Sequence, residues 1–590
     1  MTGNEIILAD MSVCLPSDAL AREWTAGKWR LVDYETGYGL KGTMVYADPE
    51  LGAPTLELPL NVSGPFKIYL GINYTKSRYH YQKYSPYGHL RVKLTEDPGF
   101  THVGAEEAVI HPPSSSRNLP VLKLGRGQFI PRSIQEVYWK TADLTGQSLF
   151  FSPMGEPYNR GEWGGISNLS YVRLVPLSAE ERDIWQRFQP RKDTRCLAFI
   201  YCTGNLSGHI DRGPGDYHPT SIDWFRDEIQ PCLNSDVAIL NLEVIRGSYC
   251  TYHTYIGDVG GENNTWQDEW IDPLAAFTQL AHENSLRIFG AMRMIGAAYP
   301  ATREPLGRAS FYWAHPEWAK RDREGTPTAN LSLAYPEVRA YWLSLLREVL
   351  DYGVDGLTVY LHRFYPFVLY EEPVVRDFQS QFGEDPRKLP GNDRRWLEHC
   401  AGYVTQFLRE VRALVDERPG RELAIVFNGG PSPYEPDPEN WDPMKCNYDV
   451  ETWIREELAN YLWPTEFPPP ARIKRWCELG QGRVHIWPDL TPALGPRATT
   501  DPGVNFVRQA QVYYEAGADG FCLWDAERQA PRISEWAVLC RLGHRELLDY
   551  LAQQAPTFWR RIPLKKLMEL SLRYSFNNYD FPDPLLQEQL

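Results

Sequence analysis

The sequence predicts an α/β protein in which a (β/α)8 TIM barrel follows an antiparallel, jelly-roll-like β-sandwich. Up to about Leu177, apolar and polar residues alternate, which is typical of half-buried antiparallel strands. From Arg195 onward, apolar strands alternate with amphipathic helices. The length of 590 residues also exceeds one ordinary domain, so at least two hydrophobic cores are expected.

The alternation is clearest in two N-terminal stretches. In 66–72 and in 90–94 every second residue is apolar, so one face of each strand is hydrophobic. Clusters of Gly, Pro, Ser and Asp separate these stretches from further candidate strands, and no convincing helix intervenes. We expect those strands at 43–46, 55–62, 136–140 and 171–177. The pattern predicts a β-sandwich domain at 1–190 that could bind carbohydrate.

The second part of the chain carries eight candidate strands. The helix before the fourth has Pro336 in its first turn and ends at Gly353. Eight strands with intervening helices match a (β/α)8 barrel with insertions. We therefore expect a catalytic barrel at 191–545 and a C-terminal helical tail at 546–590. The strands are expected at 196–202, 237–242, 287–292, 357–361, 423–427, 460–462, 484–487 and 520–524.

One short sequence occurs twice in this part. Tyr352-Gly-Val-Asp-Gly precedes the fourth strand, and the similar Ala516-Gly-Ala-Asp-Gly precedes the eighth. Both predict the same helix-to-strand turn, half a barrel apart. Asp355 and Asp519 would then lie at the amino-terminal face, where turn or capping roles are expected.

Composition excludes several classes of function. A formal net charge of -15 disfavours a nucleic-acid binder, which needs clustered Lys and Arg. Neither a signal peptide nor a membrane span is visible, so a cytoplasmic protein without membrane contact is expected, although a secreted chain trimmed of its leader would look the same. The ten cysteines form no C-x-x-C pair, and no His cluster has metal-ligand spacing. We expect reduced thiols, no metal and no cofactor; the oligomeric state is not indicated.

Acids stand close to aromatic residues at the predicted carboxyl ends of several strands, where a barrel has its active site. Carboxylates can act on an anomeric carbon, and Trp and Tyr rings can stack on sugar rings. A carbohydrate substrate is therefore expected. The candidate catalytic residues are Glu243, Glu371, Asp489 and Asp525. The candidate substrate contacts are Arg293, Tyr360, His362, Arg363, Asn428, Trp487 and Trp524.

Each carboxylate also has a structural explanation. Glu243 could pair with either nearby arginine, at 246 or 293. Glu371 and Glu372 could together start a helix before a proline. Asp489 follows a proline and could be a turn residue, whereas an unpaired Asp525 at the end of a buried strand would be costly. The aromatic candidates at strands four and eight could likewise be core residues.

Five motifs follow one another in the predicted barrel. They are Tyr335-Pro-Glu-Val-Arg, Tyr352-Gly-Val-Asp-Gly-Leu, Arg363-Phe-Tyr-Pro, Tyr370-Glu-Glu-Pro-Val-Val-Arg-Asp-Phe-Gln-Ser-Gln-Phe-Gly-Glu-Asp-Pro and Asp449-Val-Glu-Thr-Trp-Ile-Arg-Glu-Glu-Leu. In this order they resemble the glycosyl-hydrolase-like family 10 barrels of bacteria. The similarity covers about Phe289 to Glu527 and not the N-terminal sandwich, and it implies a TIM barrel that acts on carbohydrate.

The chain departs from this family at the end of strand four. Related barrels usually place an aspartate five residues after the Asp of the Val-Asp-Gly turn, in the nucleophile position. Tyr360 occupies that position here. Either the catalytic carboxylates have moved to other strand ends, or the barrel binds glycans without cleaving them. Tyr360 as a nucleophile is a minor alternative.

The main expectation is a glycoside hydrolase that cleaves a poly- or oligosaccharide with paired carboxylates. Glu371 is the expected proton donor, and its partner would be Asp525 or Asp489 in preference to Glu243. One alternative is a non-catalytic carbohydrate-binding protein on a degenerate barrel. Another is a polysaccharide lyase that uses the Tyr, His and Arg after strand four on a uronic-acid substrate.

Overall fold

The chain is a mixed α/β protein with antiparallel sheets, as predicted. The computed structural model describes residues 5–47, 52–73, 90–104, 122–123, 129–130, 133–153, 167–202, 221–247, 249–259, 271–294, 310–362, 365–431, 441–490, 502–567 and 570–571.

The N-terminal part consists of strands, and among its described residues the first α-helix begins only at Ala179. The strands predicted around 43–46, 55–62, 66–72, 90–94, 136–140 and 171–177 are all present. The strands are β1 (Ile6–Leu8), β2 (Leu20–Ala21), β3 (Trp29–Thr36), β4 (Lys41–Ala47), β5 (Leu56–Pro59), β6 (Pro65–Asn73), β7 (Leu90–Leu94), β8 (Thr101–Val103), β9 (Leu122–Lys123), β10 (Phe129–Ile130), β11 (Ser133–Asp143), β12 (Ser148–Ser152), β13 (Ser167–Leu169) and β14 (Tyr171–Pro176).

The second part alternates strands and helices. Its strands are β15 (Leu197–Tyr201), β16 (Val237–Arg246), β17 (Tyr249–Cys250), β18 (Asp258–Val259), β19 (Arg287–Arg293), β20 (Ala319–Arg321), β21 (Pro327–Leu331), β22 (Gly356–Tyr360), β23 (Glu422–Asn428), β24 (Tyr461–Thr465), β25 (His485–Ile486), β26 (Phe521–Leu523), β27 (Trp559–Leu567) and β28 (Leu570–Ser571). The helices are α1 (Ala179–Arg187), α2 (Ile222–Ile229), α3 (Pro273–Glu283), α4 (Ser310–Ala314), α5 (Pro336–Asp351), α6 (Glu372–Phe382), α7 (Arg394–Asp416), α8 (Val450–Arg455), α9 (Pro470–Gly480), α10 (Pro502–Glu515), α11 (Ala526–Gln529), α12 (Ile533–Leu539) and α13 (Leu548–Gln554).

Two sheets built from the N-terminal strands share one hydrophobic core. The larger has the order β1-β14-β6-β11-β27-β3-β4-β13, and the smaller has the order β5-β12-β7-β8. Leu70 and Val137 of the larger sheet and Val92 and Phe151 of the smaller belong to the same buried cluster. The apolar face of each alternating strand is therefore the face turned toward that cluster.

The sheet of the second part has ten strands. Eight of them are parallel, and all eight were predicted; the other two are β17 and β18, and β17 is antiparallel to β16. The order of the eight parallel strands is β26-β15-β16-β19-β22-β23-β24-β25, with every pair parallel. The two ends of this order also meet, because Cys522 N–H donates to the Pro488 carbonyl at 3.2 Å and Leu490 N–H donates to the Cys522 carbonyl at 3.3 Å. The strands at the two ends of this order, β25 and β26, are therefore also neighbours.

The sixth parallel strand, β24, extends further than predicted. The prediction ended it at Leu462, whereas the ladder with β23 continues through Pro464 to Thr465. A proline cannot donate a ladder hydrogen bond, so the sequence pattern indicated an end there. The Pro464 carbonyl still accepts a hydrogen bond from Asp489 N–H at 2.9 Å, on the side of β25.

The prediction of a helical tail at 546–590 is wrong for most of its described part. Only α13 (Leu548–Gln554) is α-helical, and β27 follows it. β27 lies between β11 and β3 in the larger N-terminal sheet, antiparallel to both. Ile562 and Leu564 of β27 are buried there against core residues of β3 and β4. A strand from the C-terminal part of the chain therefore completes a sheet whose other strands come mostly from the N-terminal part.

The repeated glycine-aspartate turn has the same local structure in both places. Gly353 and Gly517 have φ angles of 82° and 97°, a region that favours glycine. Asp355 accepts a hydrogen bond from Ile288 N–H at 3.0 Å, near the start of β19, and Asp519 forms a hydrogen bond with the imidazole of His485, the first residue of β25. Both aspartates thus hold the amino-terminal ends of neighbouring strands, as the turn or capping role requires.

All ten cysteines lie within the described residues, and each is a free thiol.

Among the described residues, no helix combines the length and the apolar character needed to cross a bilayer.

Candidate active site

Polar side chains gather at the carboxyl ends of the parallel strands. All these ends lie on one side of the sheet because the strands are parallel. Glu243 lies near the end of β16, Arg293 at the end of β19 and Tyr360 at the end of β22. Hydrogen bonds and a cation–π contact join these three side chains into one buried group.

Glu243 is held by two arginines. Arg293 donates to Oε2 at 2.5 Å and to Oε1 at 3.2 Å, and Arg246 Nε donates to Oε1 at 2.9 Å. Burial of the carboxyl favours its neutral form, but the two guanidinium groups outweigh burial and lower the pKa of Glu243 to about 2. Glu243 is therefore a carboxylate at neutral pH, and both arginines named as its structural partners contact it.

The guanidinium of Arg293 also lies over two aromatic rings. Its central carbon is 5.3 Å from the ring centre of Tyr360 and 5.3 Å from that of Trp524. The two rings are 5.2 Å apart. Tyr360 and Trp524 are both buried, so in this structure they pack as core aromatics around a cation.

The Tyr360 hydroxyl accepts a hydrogen bond from Asn241 Nδ2 at 2.5 Å. Asn241 Oδ1 in turn accepts one from the Thr358 hydroxyl at 2.5 Å. Burial raises the pKa of Tyr360 well above its ordinary value, and the nearby acid groups add to this rise. The phenol is therefore protonated at neutral pH, which disfavours Tyr360 as a nucleophile or base.

His362 and Glu466 meet beside the Trp524 ring. His362 Nε2 is 3.5 Å from Glu466 Oε1, and the imidazole ring centre is 4.6 Å from that of Trp524. The His362 side chain is fully buried, and the Glu466 side chain is 9% exposed. Glu466 directly follows β24 and has a φ of 59°, a left-handed conformation that a β-carbon makes costly. A strained residue at a strand end is frequent at functional sites.

Asp525 and Glu527 lie next to Cys202, which follows β15. One possible ligand atom from each of these three residues lies within 4.8 Å of the others. Cys202 N–H donates to Glu527 Oε2 at 3.3 Å. Burial and the nearby acids raise the pKa of Cys202, so the thiol is protonated at neutral pH. The expectation of activity without a metal remains a prediction.

Asp489 lies between β25 and β26 and forms hydrogen bonds with the backbone on both sides. It is buried, and its Oδ1 accepts a hydrogen bond from Trp524 N–H at 3.1 Å. Its own N–H donates to the Pro464 carbonyl. These contacts agree with the turn role that was the structural alternative for this residue.

Two further predicted substrate contacts have contrasting surroundings. Trp487 donates to Asp519 at the amino-terminal side, and its ring centre lies 4.9 Å from that of Tyr461. The indole thus points away from the carboxyl ends.

Asn428 ends β23, is 3% exposed, and its Oδ1 accepts no hydrogen bond within the described residues. A buried acceptor of this kind is costly unless a ligand or water satisfies it. Arg363 lies outside the described residues.

Glu371 lies in a different environment from the other carboxylates. It is the N-cap residue of α6 and is fully buried. Its Oε2 accepts a hydrogen bond from Leu369 N–H at 2.8 Å, whereas Oε1 has no hydrogen-bond partner among the described residues. Burial raises the pKa of Glu371, and the backbone N–H groups, the Ser332 hydroxyl and Lys320 oppose this rise. No described hydrogen bond or ion pair joins Glu371 to Glu243, Asp489 or Asp525.

Four residues that contribute to this site were not predicted from the sequence. Asn241 lies two residues before Glu243, so strand alternation places both on one face, a signal that was available. Glu466 and Glu527 are acids just after β24 and β26, but neither was selected as a site residue. Cys202 was interpreted only as a small hydrophobic residue, and its contact with Arg293, at 3.9 Å, is not visible in local sequence.

No family model and no curated protein matches the chain. An α-galactosidase from Thermus thermophilus is similar in structure over 89% of this chain and 95% of its own, with 12% identity and a TM-score of 0.30. A cycloalternan-degrading enzyme from Trueperella pyogenes is similar over 87% of this chain and 70% of its own, at 11% identity and a TM-score of 0.34. A GH31 dextranase from Flavobacterium johnsoniae is similar over 89% of this chain and 59% of its own, with 8% identity and a TM-score of 0.31. TM-scores at this level establish neither fold nor function, and the resemblance to glycosyl-hydrolase-like family 10 remains a prediction.

Proposed function

We propose that the chain is a glycoside hydrolase with a carbohydrate substrate. Its eight parallel strands would form a (β/α)8 barrel, and the closed order of strand neighbours supports that architecture. The two N-terminal sheets would form a jelly-roll-like β-sandwich, which their shared core supports. The sandwich domain would be residues 1–190 together with β27, and the barrel would begin near 191.

The observation that carries this proposal is the arrangement around Trp524. Glu466 contacts His362, whose ring lies against Trp524, and Asp525 directly follows that tryptophan. Two acidic residues at the ends of different strands are thus placed close to this tryptophan, one through His362 and one by following it in the chain. Glycosidases act through two carboxyl groups that flank the scissile bond, and aromatic rings pack on the apolar faces of sugars.

We assign the proton donor to Glu466 and the partner carboxylate to Asp525. The side chain of Glu466 is 9% exposed and contacts His362 directly after β24, at the side of the sheet where the strand ends gather. Glu243 is less suitable because two arginines keep it ionised and fixed, so we assign it the role of holding Arg293. Glu371 is less suitable because its contacts are with Leu369 and the Lys320 region.

A carbohydrate-binding protein without catalysis is the second candidate. Tyr360 favours it, since the end of β22 carries a protonated phenol where the related barrels carry a carboxylate. The lyase alternative is weaker, because a base at Tyr360 would require the phenolate that burial disfavours.

The test is a panel of neutral and acidic oligosaccharides, assayed for newly formed reducing ends and for the ultraviolet absorbance of unsaturated products. Reducing ends without that absorbance support a hydrolase. Substrate binding without turnover would show the carbohydrate-binding function instead, and unsaturated products would show a lyase. No binding or turnover with any sugar would overturn the proposal.

Three matched variants then test the assignment of roles. Glu466→Gln and Asp525→Asn should each lower turnover at least about 100-fold. Glu371→Gln is the control and should stay within about tenfold of wild type, provided that each protein shows an unchanged circular dichroism spectrum. A large loss in the Glu371→Gln protein alone would restore the sequence-based assignment.

A further inference from the structure

A cavity of about 130 Å³ lies where β11, α1, α12 and α13 meet. It is remote from the site described above. Asn234, on its wall, lies three residues before β16 begins, so the cavity stands beside the amino ends of the parallel strands, whereas Glu243 and Trp524 lie at the carboxyl ends. A space of this size accommodates roughly one six-membered ring.

The charges in the cavity wall leave one cation uncompensated. Lys67 pairs with Glu181 at 2.7 Å, and Lys140 pairs with Asp97 at 2.6 Å. The Arg541 side chain lines the cavity, is partly exposed, and makes no hydrogen bond or ion pair with any described residue. A guanidinium without a counter-ion at a cavity wall favours an anion, which a ligand could supply.

Aromatic side chains form the rest of the wall. Tyr138, Trp185, Phe188 and Tyr550 line the cavity and are each half-buried, so part of each ring faces its interior or mouth. Such faces pack well against a flat or chair-shaped six-membered ring. A planar guanidinium beside them matches a carboxylate, because the two can form paired hydrogen bonds.

We infer that this cavity binds a small ligand that carries one carboxylate on a six-membered ring. The carboxylate contacts Arg541, and the ring lies among Trp185, Phe188 and Tyr550. A uronic acid and an aromatic acid share this chemistry. The inference is independent of the proposed hydrolase, since it uses none of the residues assigned to that reaction.

The test is isothermal titration of the full chain with D-glucuronate and with benzoate. D-Glucose and benzyl alcohol are the uncharged counterparts. One of the acids should bind at one site per chain, at least about tenfold more tightly than its uncharged counterpart. Tighter binding of glucuronate identifies a uronic acid as the ligand class, and tighter binding of benzoate identifies an aromatic acid.

Variants locate the binding site. Arg541→Gln should weaken binding of the acid at least about tenfold, and Trp185→Ala should weaken binding of acid and uncharged counterpart alike. Arg187→Gln is the matched control: it removes the same charge from an exposed position on α1 and should leave affinity within about twofold. Thermal unfolding checks that each variant is folded.

Three results would overturn the inference. They are no saturable binding of either acid, equal affinity for acid and uncharged counterpart, and wild-type affinity in Arg541→Gln. If Arg541→Gln does not fold, the comparison of acid with uncharged counterpart on the wild-type protein still decides the question.

Discussion

Arg293 and Glu243 form a buried, two-point ion pair between β19 and β16, with N···O distances of 2.5 and 3.2 Å. Their side chains are 8% and 1% exposed. Removing one partner of such a pair leaves a charge that neither water nor a counter-ion stabilises. The pair therefore stabilises these strand ends, and this stabilisation depends on pH.

Glu243→Gln should lower the free energy of unfolding by roughly 3–5 kcal/mol at pH 7. The folded-state pKa of about 2 lies below the ordinary value of 4.5. The contribution of Glu243 is thus fully present above about pH 4.5 and is lost as the pH falls toward 2. Urea unfolding between pH 7 and 3 should show a smaller acid-induced loss in the variant than in wild type.

The control for this prediction is Glu417→Gln, which removes a carboxylate from the exposed pair with Arg347. Its stability should change little, because water screens an exposed ion pair. Parallel stability curves for Glu243→Gln and wild type across this pH range would contradict the assigned role of Glu243.

Lys320 and Glu371 are expected to behave as a coupled buried pair. Burial lowers the pKa of Lys320 to about 8, and the Glu371 carboxylate opposes this shift. Glu371→Gln leaves the buried ammonium without that carboxylate, so the double variant Lys320→Met/Glu371→Gln should be more stable than Glu371→Gln by at least about 1 kcal/mol at pH 7.

This difference should shrink as the pH rises past about 8. A lysine with a lowered folded-state pKa destabilises the fold while it is charged, and that cost fades as the ammonium loses its proton. Urea unfolding of wild type and of both variants at pH 7 and pH 9 measures the effect. A double variant less stable than Glu371→Gln would show that no coupling exists.

Tyr360→Phe distinguishes a packing role from a chemical one. The variant removes the acceptor of the Asn241 hydrogen bond and leaves a buried amide donor unsatisfied, which should cost about 1–3 kcal/mol of stability. Turnover on any substrate found should stay within about tenfold of wild type, because the protonated phenol takes no part in the proposed reaction. Loss of turnover with unchanged stability would instead place Tyr360 in the chemistry.

The terminal strand can be tested by Ile562→Ala. This side chain is 6% exposed and packs in the cluster that includes Tyr34 and Met44. Its truncation should cost about 2–4 kcal/mol, whereas Lys565→Ala, on the exposed side of the same strand, should have little effect. Denaturant unfolding compares the two, and equal losses would argue against β27 as a core strand.

The strands were predictable because burial imposes a period on the sequence. Gly356–Tyr360 and the seven other parallel strands are apolar runs between helical patterns, and each such run is a strand. β27 was missed because its partners β11 and β3 lie more than 400 and more than 500 residues earlier in sequence, and because Pro563 within it is unfavourable for a central strand.

The candidate site was predictable only where a strand end fixes its residues. Glu243 and Arg293 are held by their strands, so the proposed ion pair between them could be stated before the structure was known. Glu371 follows a loop whose path depends on packing against β20, around Lys320, and no sequence periodicity reports such a path. The location of Glu371 could therefore not be predicted from the sequence.

The position of β27 has a consequence for biosynthesis. The ribosome makes β3 and β11 early but β27 only after a further 416 residues beyond Asp143, so the larger sheet lacks a central strand during most of synthesis. At roughly 5–20 residues per second this interval lasts about 20–80 s. Unpaired strand edges invite aggregation during that time. The nascent chain is therefore expected to need protection of these edges, by a chaperone or by delayed folding of the sheet, until β27 has been made.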